Sequence, residues 1–186
     1  MVTIDTLVSL ISRDVALSYR ILRAINTAAY GQVRPITSIP QAVRLLGVTA
    51  ITRWTTLMLL TEIRDKPSEL MTLAMVRAMM CEQWARTLAP HHTDSCFLVG
   101  LFSVLDAFMD RPMPEVLRAL PLAEELQRAL LDHAGSLGAI LHSVLAYERG
   151  NWDEATHLGL DQNTLMDAYL HALTWTVETR AALGWA

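Results

Sequence analysis

The sequence predicts an all-α fold, a compact multi-helix bundle. Three observations carry that expectation. Apolar residues recur at intervals of three and four along the 186 residues, which is the spacing of one helix face. No segment alternates apolar and polar residues over a useful length, as a half-buried strand would. Gly31, Pro35, Pro40 and Gly47 punctuate the early periodic segments at positions where helices stop or start.

The elements follow in order. Over 5–29 the stripe is Leu7, Leu10, Ile11, Leu17, Ile21, Leu22, Ile25 and Ala28, and Asp14 can cap a second helix inside it. Gly31 and Pro35 end this region. Thr37 and Ser38 precede a short helix, 40–46, with a proline in its first turn, and Gly47 closes it. The next helix, 48–63, is apolar almost all round, so it should lie centrally. The polar turn 65–68 is the expected lobe boundary, giving lobes 1–64 and 65–186 of one domain. Ser68–Leu88 is a long helix with Leu70, Leu73, Ala74, Ala78, Cys81, Trp84, Ala85 and Leu88 on one face, and Arg77 in the middle of that face. A loop at 90–94 leads to a mostly apolar helix, 95–109. Shorter helices follow at 114–119, 123–132, 136–148 and 153–157. Gln162–Leu183 is the last helix, capped by Asp161.

Composition bounds the function. Apolar residues are 52% and charged ones 18%, a balance that favours a buried core over disorder. The formal charge of −4 gives no electrostatic reason for a nucleic acid or an anionic membrane as partner. Cys81 and Cys96, far apart in apolar surroundings, suit reduced core thiols. Residues 1–13 contain Asp5 and no cleavage-site pattern, so they do not resemble a secretory signal. The most apolar run, 55–61, is short for a membrane span. A cytoplasmic protein is expected.

Catalytic chemistry finds little support. His91, His92 and Asp94 are close in sequence, but adjacent loop side chains rarely converge on one ion. His133, His142, His157 and His171 sit on separate segments, and none is three or four residues from another. There is no nucleophile elbow, Gly-rich phosphate loop or Cys-x-x-Cys. Glu124 and Glu125 point about 100° apart on a helix, a solvated face rather than an acid–base couple.

Three features stay open between structural and functional roles. Arg77 on an apolar face must reach an acceptor, because it remains charged. That acceptor is a carboxylate such as Asp106 or Glu82, or else an anion or partner in a cleft. Asn26, near a helix end, either ties down the following turn or lines a site. Met71, Met75 and Met79, spaced by four, are either further core or an adaptable partner surface.

The stretch 13–31, with Asp14, Leu17, Asn26, Thr27, Ala28, Tyr30 and Gly31, resembles the opening signature of HDOD (HD-related output) domains. Those carry an Asp-x-x-Leu turn, a helix ending in Asn-Ser-Ala, then an aromatic residue and Gly. The pieces Ile36-Thr37-Ser38-Ile39, Gln41-Ala42 and Leu45-Leu46-Gly47 also match. Phe97-Leu98-Val99-Gly100-Leu101-Phe102-Ser103 resembles the family's Ala-Phe-x-x-Gly-Leu-Leu segment. Tyr147-Glu148-Arg149-Gly150-Asn151-Trp152 resembles a motif of the branch linked to EAL domains, which are of the cyclic di-GMP phosphodiesterase type.

The resemblance implies an HD-domain, phosphodiesterase-like bundle with a degenerate metal site. HD hydrolases, which are similar, carry a His-Asp dyad where this chain has Ser103 and Val104, and a ligand His on the preceding helix. No histidine precedes His91 here. The expectation is a non-catalytic regulatory or interaction module of bacterial signalling, not an enzyme and without a metal or cofactor. Asn26, Arg77, Asp106 and Glu148 are its candidate cleft or structural polar residues, and Met71, Met75 and Met79 its candidate partner surface. Expected partners are an attached EAL domain, other signalling proteins or a second copy, with no nucleic acid and no membrane. The chain itself lacks an EAL domain, so it is expected to be a piece of a longer protein. The alternatives are a small-ligand sensor in the vestigial cleft and a divergent HD-type metal phosphohydrolase.

Overall fold

A computed structural model describes residues 4–27, 35–63 and 65–183. All regular structure among them is helical. The expected stop at Gly31, the stripe position Ala28 and the side chain of Leu7 lie outside the described residues.

Helices α1 (Ile4–Arg13) and α2 (Val15–Thr27) meet at Asp14, whose Oδ1 accepts the Leu17 N–H at 2.9 Å. This is the cap the sequence called for. Helix α3 (Ile39–Thr61) begins at Ser38, whose Oγ accepts the Gln41 N–H, and carries a proline in its first turn. The two helices expected at 40–46 and 48–63 are this one element, broken at Gly47, where φ is +81° and ψ 165°. That backbone region excludes most L side chains and suits glycine.

The chain divides into two compact units, 1–64 with 177–186, and 65–176. The boundary between residues 64 and 65 falls at the polar turn. The last ten residues, however, belong with the first unit, whereas the sequence placed them in the second lobe. The reason is apolar: Ala182 and Leu183 pack with Ile11, Ile21, Ile25, Ile39, Ile51 and Trp54. Burial of such side chains contributes roughly 1.5–3 kcal/mol each. In the same unit Arg20 ties α2 to the end of α3 through Glu62 Oε1 at 2.8 Å and Thr61 Oγ1 at 2.9 Å.

The second unit is built on α4 (Ser68–Leu88), which lies against α5 (Thr93–Phe102). The loop expected at 90–94 is a single 3₁₀ turn, Pro90–His92, followed at once by α5. The helix expected over 95–109 is two, α5 and α6 (Leu105–Met109), separated at Ser103 and Val104. Next come α7 (Met113–Arg118), α8 (Glu124–Asp132), α9 (Gly135–Glu148) and α10 (Trp152–Ala155); α11 (Gln162–Leu183) begins in this unit, and its residues from Val177 on belong to the first. Asp161 Oδ1 caps α11 by accepting the Thr164 N–H at 2.8 Å, and that bond holds its carboxyl below the usual range.

Helix α4 is covered on more faces than its sequence stripe suggests. Met71 is 1% exposed, Met75 0% and Met79 4%. The methionine stripe is therefore core, and its reading as a partner surface is corrected. The apolar face read from the sequence also shifts, since Met71, Ala74 and Met75 are buried while Leu70 and Leu73 are only half-buried. A helix enclosed on most sides has no second face to offer, and unbranched methionines fill its irregular gaps.

By length and composition, Ile39–Thr61 and Glu124–Glu148 could each cross a membrane. Neither is one straight helix. The first breaks at Gly47, and the second at His133 and Gly135, both with positive φ.

Candidate functional site

The site grows from one charged side chain on the buried helix. Arg77 points from α4 toward the C-terminal end of α9. Its Nε donates to Glu148 Oε1 at 2.8 Å and Oε2 at 3.0 Å, and its Nη2 donates to Oε2 at 2.8 Å. Its Nη1 donates to Ser103 Oγ at 3.2 Å. The Ser103 hydroxyl in turn donates to the Gly100 carbonyl at 2.7 Å, closing the end of α5. The two charged side chains are only 15% and 19% exposed.

The paired geometry matches a guanidinium fork to both carboxylate oxygens, an arrangement that fixes direction as well as attraction. Three helices are joined by it: α4 gives Arg77, the end of α5 gives Ser103 and α9 gives Glu148. Both oxygens of Glu148 accept from the guanidinium, which holds the carboxylate toward α4.

Close helix approach makes the reach possible. A Cβ on Gly100 would lie 2.5 Å from the Arg77 carbonyl oxygen and 2.7 Å from Ala78 Cα. Only glycine lets α5 lie this near α4. Beneath the pair, Cys81 is fully buried, and burial pushes its thiol well above the usual range, with lesser contributions from Cys96 and Glu148 and an opposing one from Arg77. Burial also pushes Cys96 up to about 12, helped by Glu125. Both are free thiols with no thiolate to react near neutral pH.

The remaining sequence candidates are scattered. Val104 is buried at 5% and offers no polar atom. Asp106 is exposed, and its carboxylate accepts its neighbour Ala107's N–H at 2.9 Å. It does not meet Arg77. Neither does Glu82, a buried carboxylate that accepts from Arg86 at 3.0 Å. Asn26 belongs to the first unit. Its Nδ2 donates to the carbonyls of Leu22 and Ile36, at 2.7 and 2.8 Å, and its Oδ1 accepts the Ile36 N–H at 2.8 Å. It ties the end of α2 to Ile36 ahead of α3, from an exposed position rather than as a buried amide. His92 faces Glu125 at 3.7 Å. Among the described residues, no group of three His, Cys, Asp or Glu side chains is placed to hold a metal ion.

Sequence spacing could not name Glu148 as the partner of Arg77, since 71 positions separate them. The available signal was its place in the 147–152 motif.

Comparison with known proteins adds the family. Residues 1–146 match the HDOD domain. The chain belongs to the HDOD family. Among curated proteins, it is 34% identical over 171 residues to the uncharacterized protein YuxH of Bacillus subtilis, covering 89% of this chain and 42% of YuxH. It is 32% identical over 173 residues to CdgJ of Vibrio cholerae, named a cyclic di-GMP phosphodiesterase, covering 90% of this chain and 40% of CdgJ. The chain thus spans about two-fifths of the length of these relatives. No solved structure matches it significantly. Within this HDOD domain, Ser103 and Val104 are the positions that the sequence resemblance assigns to the missing His-Asp dyad.

Proposed function

We propose that this HDOD domain is a non-catalytic regulatory and protein-interaction module of bacterial signal transduction, attached in the full-length protein to an EAL domain of the cyclic di-GMP phosphodiesterase type. The observation that carries the reading is the Arg77–Glu148 pair with its bond to Ser103. A fixed guanidinium stands beside the position where HD hydrolases carry their dyad, and a resident cation there would meet its repulsion. Metal-assisted hydrolysis needs an open coordination position and ligands that are free to bind. Ser103 donates to a carbonyl and accepts from Arg77, Val104 has no side-chain donor atom, and both oxygens of Glu148 accept from Arg77.

Attachment to an EAL domain is supported by the 147–152 motif and by the share of the relatives that lies outside the match. CdgJ is named for a cyclic di-GMP activity, and three-fifths of it has no counterpart in this chain. The module would act by docking against that domain, other signalling proteins or a second copy, in the cytoplasm. Nucleic acid and membrane are not among its proposed partners, consistent with the −4 charge. Neither of two open hollows in the second unit, one at Glu124, Glu125 and Arg128 and one at Met109, Glu115 and Leu120, includes Arg77, Ser103 or Glu148.

The test compares cyclic di-GMP turnover by the full-length protein with turnover by the same protein lacking this domain. The reading expects a changed rate in the shortened protein and no turnover by the 186-residue chain alone. Equal rates in both forms, with no binding of the separate chain to the remainder, would defeat it.

A further inference from the structure

We propose that His133, His142 and His157 form a proton-sensitive joint that holds α8, α9 and α10 together while at most one ring is charged, and loosens as the pH falls. The sequence gives no hint of a cluster, because the three residues are separated by 9 and 15 positions on different elements. The fold assembles them in a row. The His133 and His142 ring centroids are 5.4 Å apart, and those of His142 and His157 are 6.2 Å apart. Each ring comes from a different element: His133 caps the C-terminus of α8, His142 lies on α9, and His157 follows α10.

One carboxylate, Glu154, stands beside the row of three rings. His142 Nε2 lies 3.6 Å from Glu154 Oε2, a carboxylate that can balance one positive ring. The His157 Nδ1 faces the Glu154 main-chain carbonyl, which can only accept, so this nitrogen carries hydrogen in the neutral ring and also lies 3.2 Å from Ser143 Oγ. At the other end, His133 faces His142 and Arg149 as positive neighbours and Asp132 as a negative one. Partial burial, then His142 and Arg149, hold His133 below the ordinary histidine range, with Asp132 opposing. A histidine whose folded pKa is depressed binds fewer protons than in the unfolded chain. Its contribution to stability is complete above the unfolded value of about 6.5 and is lost as pH falls through the folded one.

The joint also bears on backbone geometry. His133 itself sits in the left-handed region, at φ 51° and ψ 31°. Its carbonyl packs directly on Gly138 of α9, leaving no room for a Cβ there. Repulsion between rings therefore acts at a tight corner rather than on free side chains. Helix α9 ends in Glu148, so the helix that presents the partner of Arg77 is held along its first half by groups whose charge follows pH.

Amide hydrogen exchange of the 186-residue chain, corrected for intrinsic rates and compared at about pH 7.5 and 5.5, tests this around the histidine titration range. Protection over 124–157 should fall measurably more than protection in α2 and α3, the direction that the lowered His133 requires. His142→Gln removes the central ring and should abolish that excess. His133→Asn should reduce it, and asparagine tolerates the left-handed backbone of this cap. Should His142→Gln fail to fold, the parent profile and His133→Asn still decide. A parent chain with no selective loss over 124–157, or variants that keep the full loss, would overturn the joint.

Discussion

Arg77→Ala should destabilise the domain, by less than the roughly 3–5 kcal/mol lost when one partner of a fully buried ion pair is removed, because Arg77 is only half-buried and Glu148 sits at an exposed position. The magnitude follows from what remains. Glu148, 19% exposed, would keep its charge without a partner, and Ser103 would lose a donor. The pair is not fully enclosed, so water can partly solvate the orphaned carboxylate, which is why the full loss is not expected. For a chain of this size, each kcal/mol lost lowers Tm by roughly 2–4 °C. Arg77→Lys should recover only part, since one ammonium cannot reproduce the fork across both oxygens and Ser103. Replacing Arg77 and Glu148 together by methionine should cost less than Arg77→Ala alone, because no buried charge is stranded. Thermal or urea unfolding measures all three, and an Arg77→Ala variant that melts with the parent would refute a stabilising role for the pair.

Gly100→Ala should be destabilising, against the direction that helix propensity gives. In a helix interior, alanine is favoured over glycine by about 1 kcal/mol. Here the new methyl would lie 2.5 Å from the Arg77 carbonyl oxygen and 2.7 Å from both the Arg77 carbonyl carbon and Ala78 Cα. These are main-chain atoms of α4, so no side-chain rotation relieves the clash and the helices must separate. Overpacking of this kind costs about 1–3 kcal/mol, occasionally more. A rigid obstacle puts the net effect near 2 kcal/mol after the propensity gain, or roughly 4–8 °C in Tm. Moving α4 from α5 also lengthens the Arg77–Ser103 bond. A Gly100→Ala chain more stable than the parent would mean that the two helices are not in contact here.

Legibility followed the range of the signal. Local chemistry was readable: Asp14, Ser38 and Asp161 cap the helices that their side chains announce. Gly47 marks a true break because its positive φ is a local property. The solitary Arg77 on an apolar face was also readable as a group requiring an acceptor, since a guanidinium stays charged wherever it lies. Its acceptor was not, because Glu148 arrives by tertiary packing from 71 positions away. The methionine stripe left core and partner surface open for a related reason. Periodicity shows which residues share a helix face, but not how many faces neighbours cover, and α4 is covered on more than one. The three histidines went unrecognised because a cluster assembled from α8, α9 and α10 leaves no spacing rule behind.

The measurement closest to the central claim is metal content set beside phosphodiester hydrolysis in the 186-residue chain, purified without a histidine tag and incubated with manganese, iron or zinc. If Arg77 holds Glu148 as the geometry shows, elemental analysis after dialysis should find no stoichiometric ion, and no hydrolysis should follow addition of any of the three. One tightly held ion per chain, retained in His142→Ala, lost in Glu148→Gln and accompanied by turnover, would contradict the account. It would place a working metal centre where a guanidinium is said to stand.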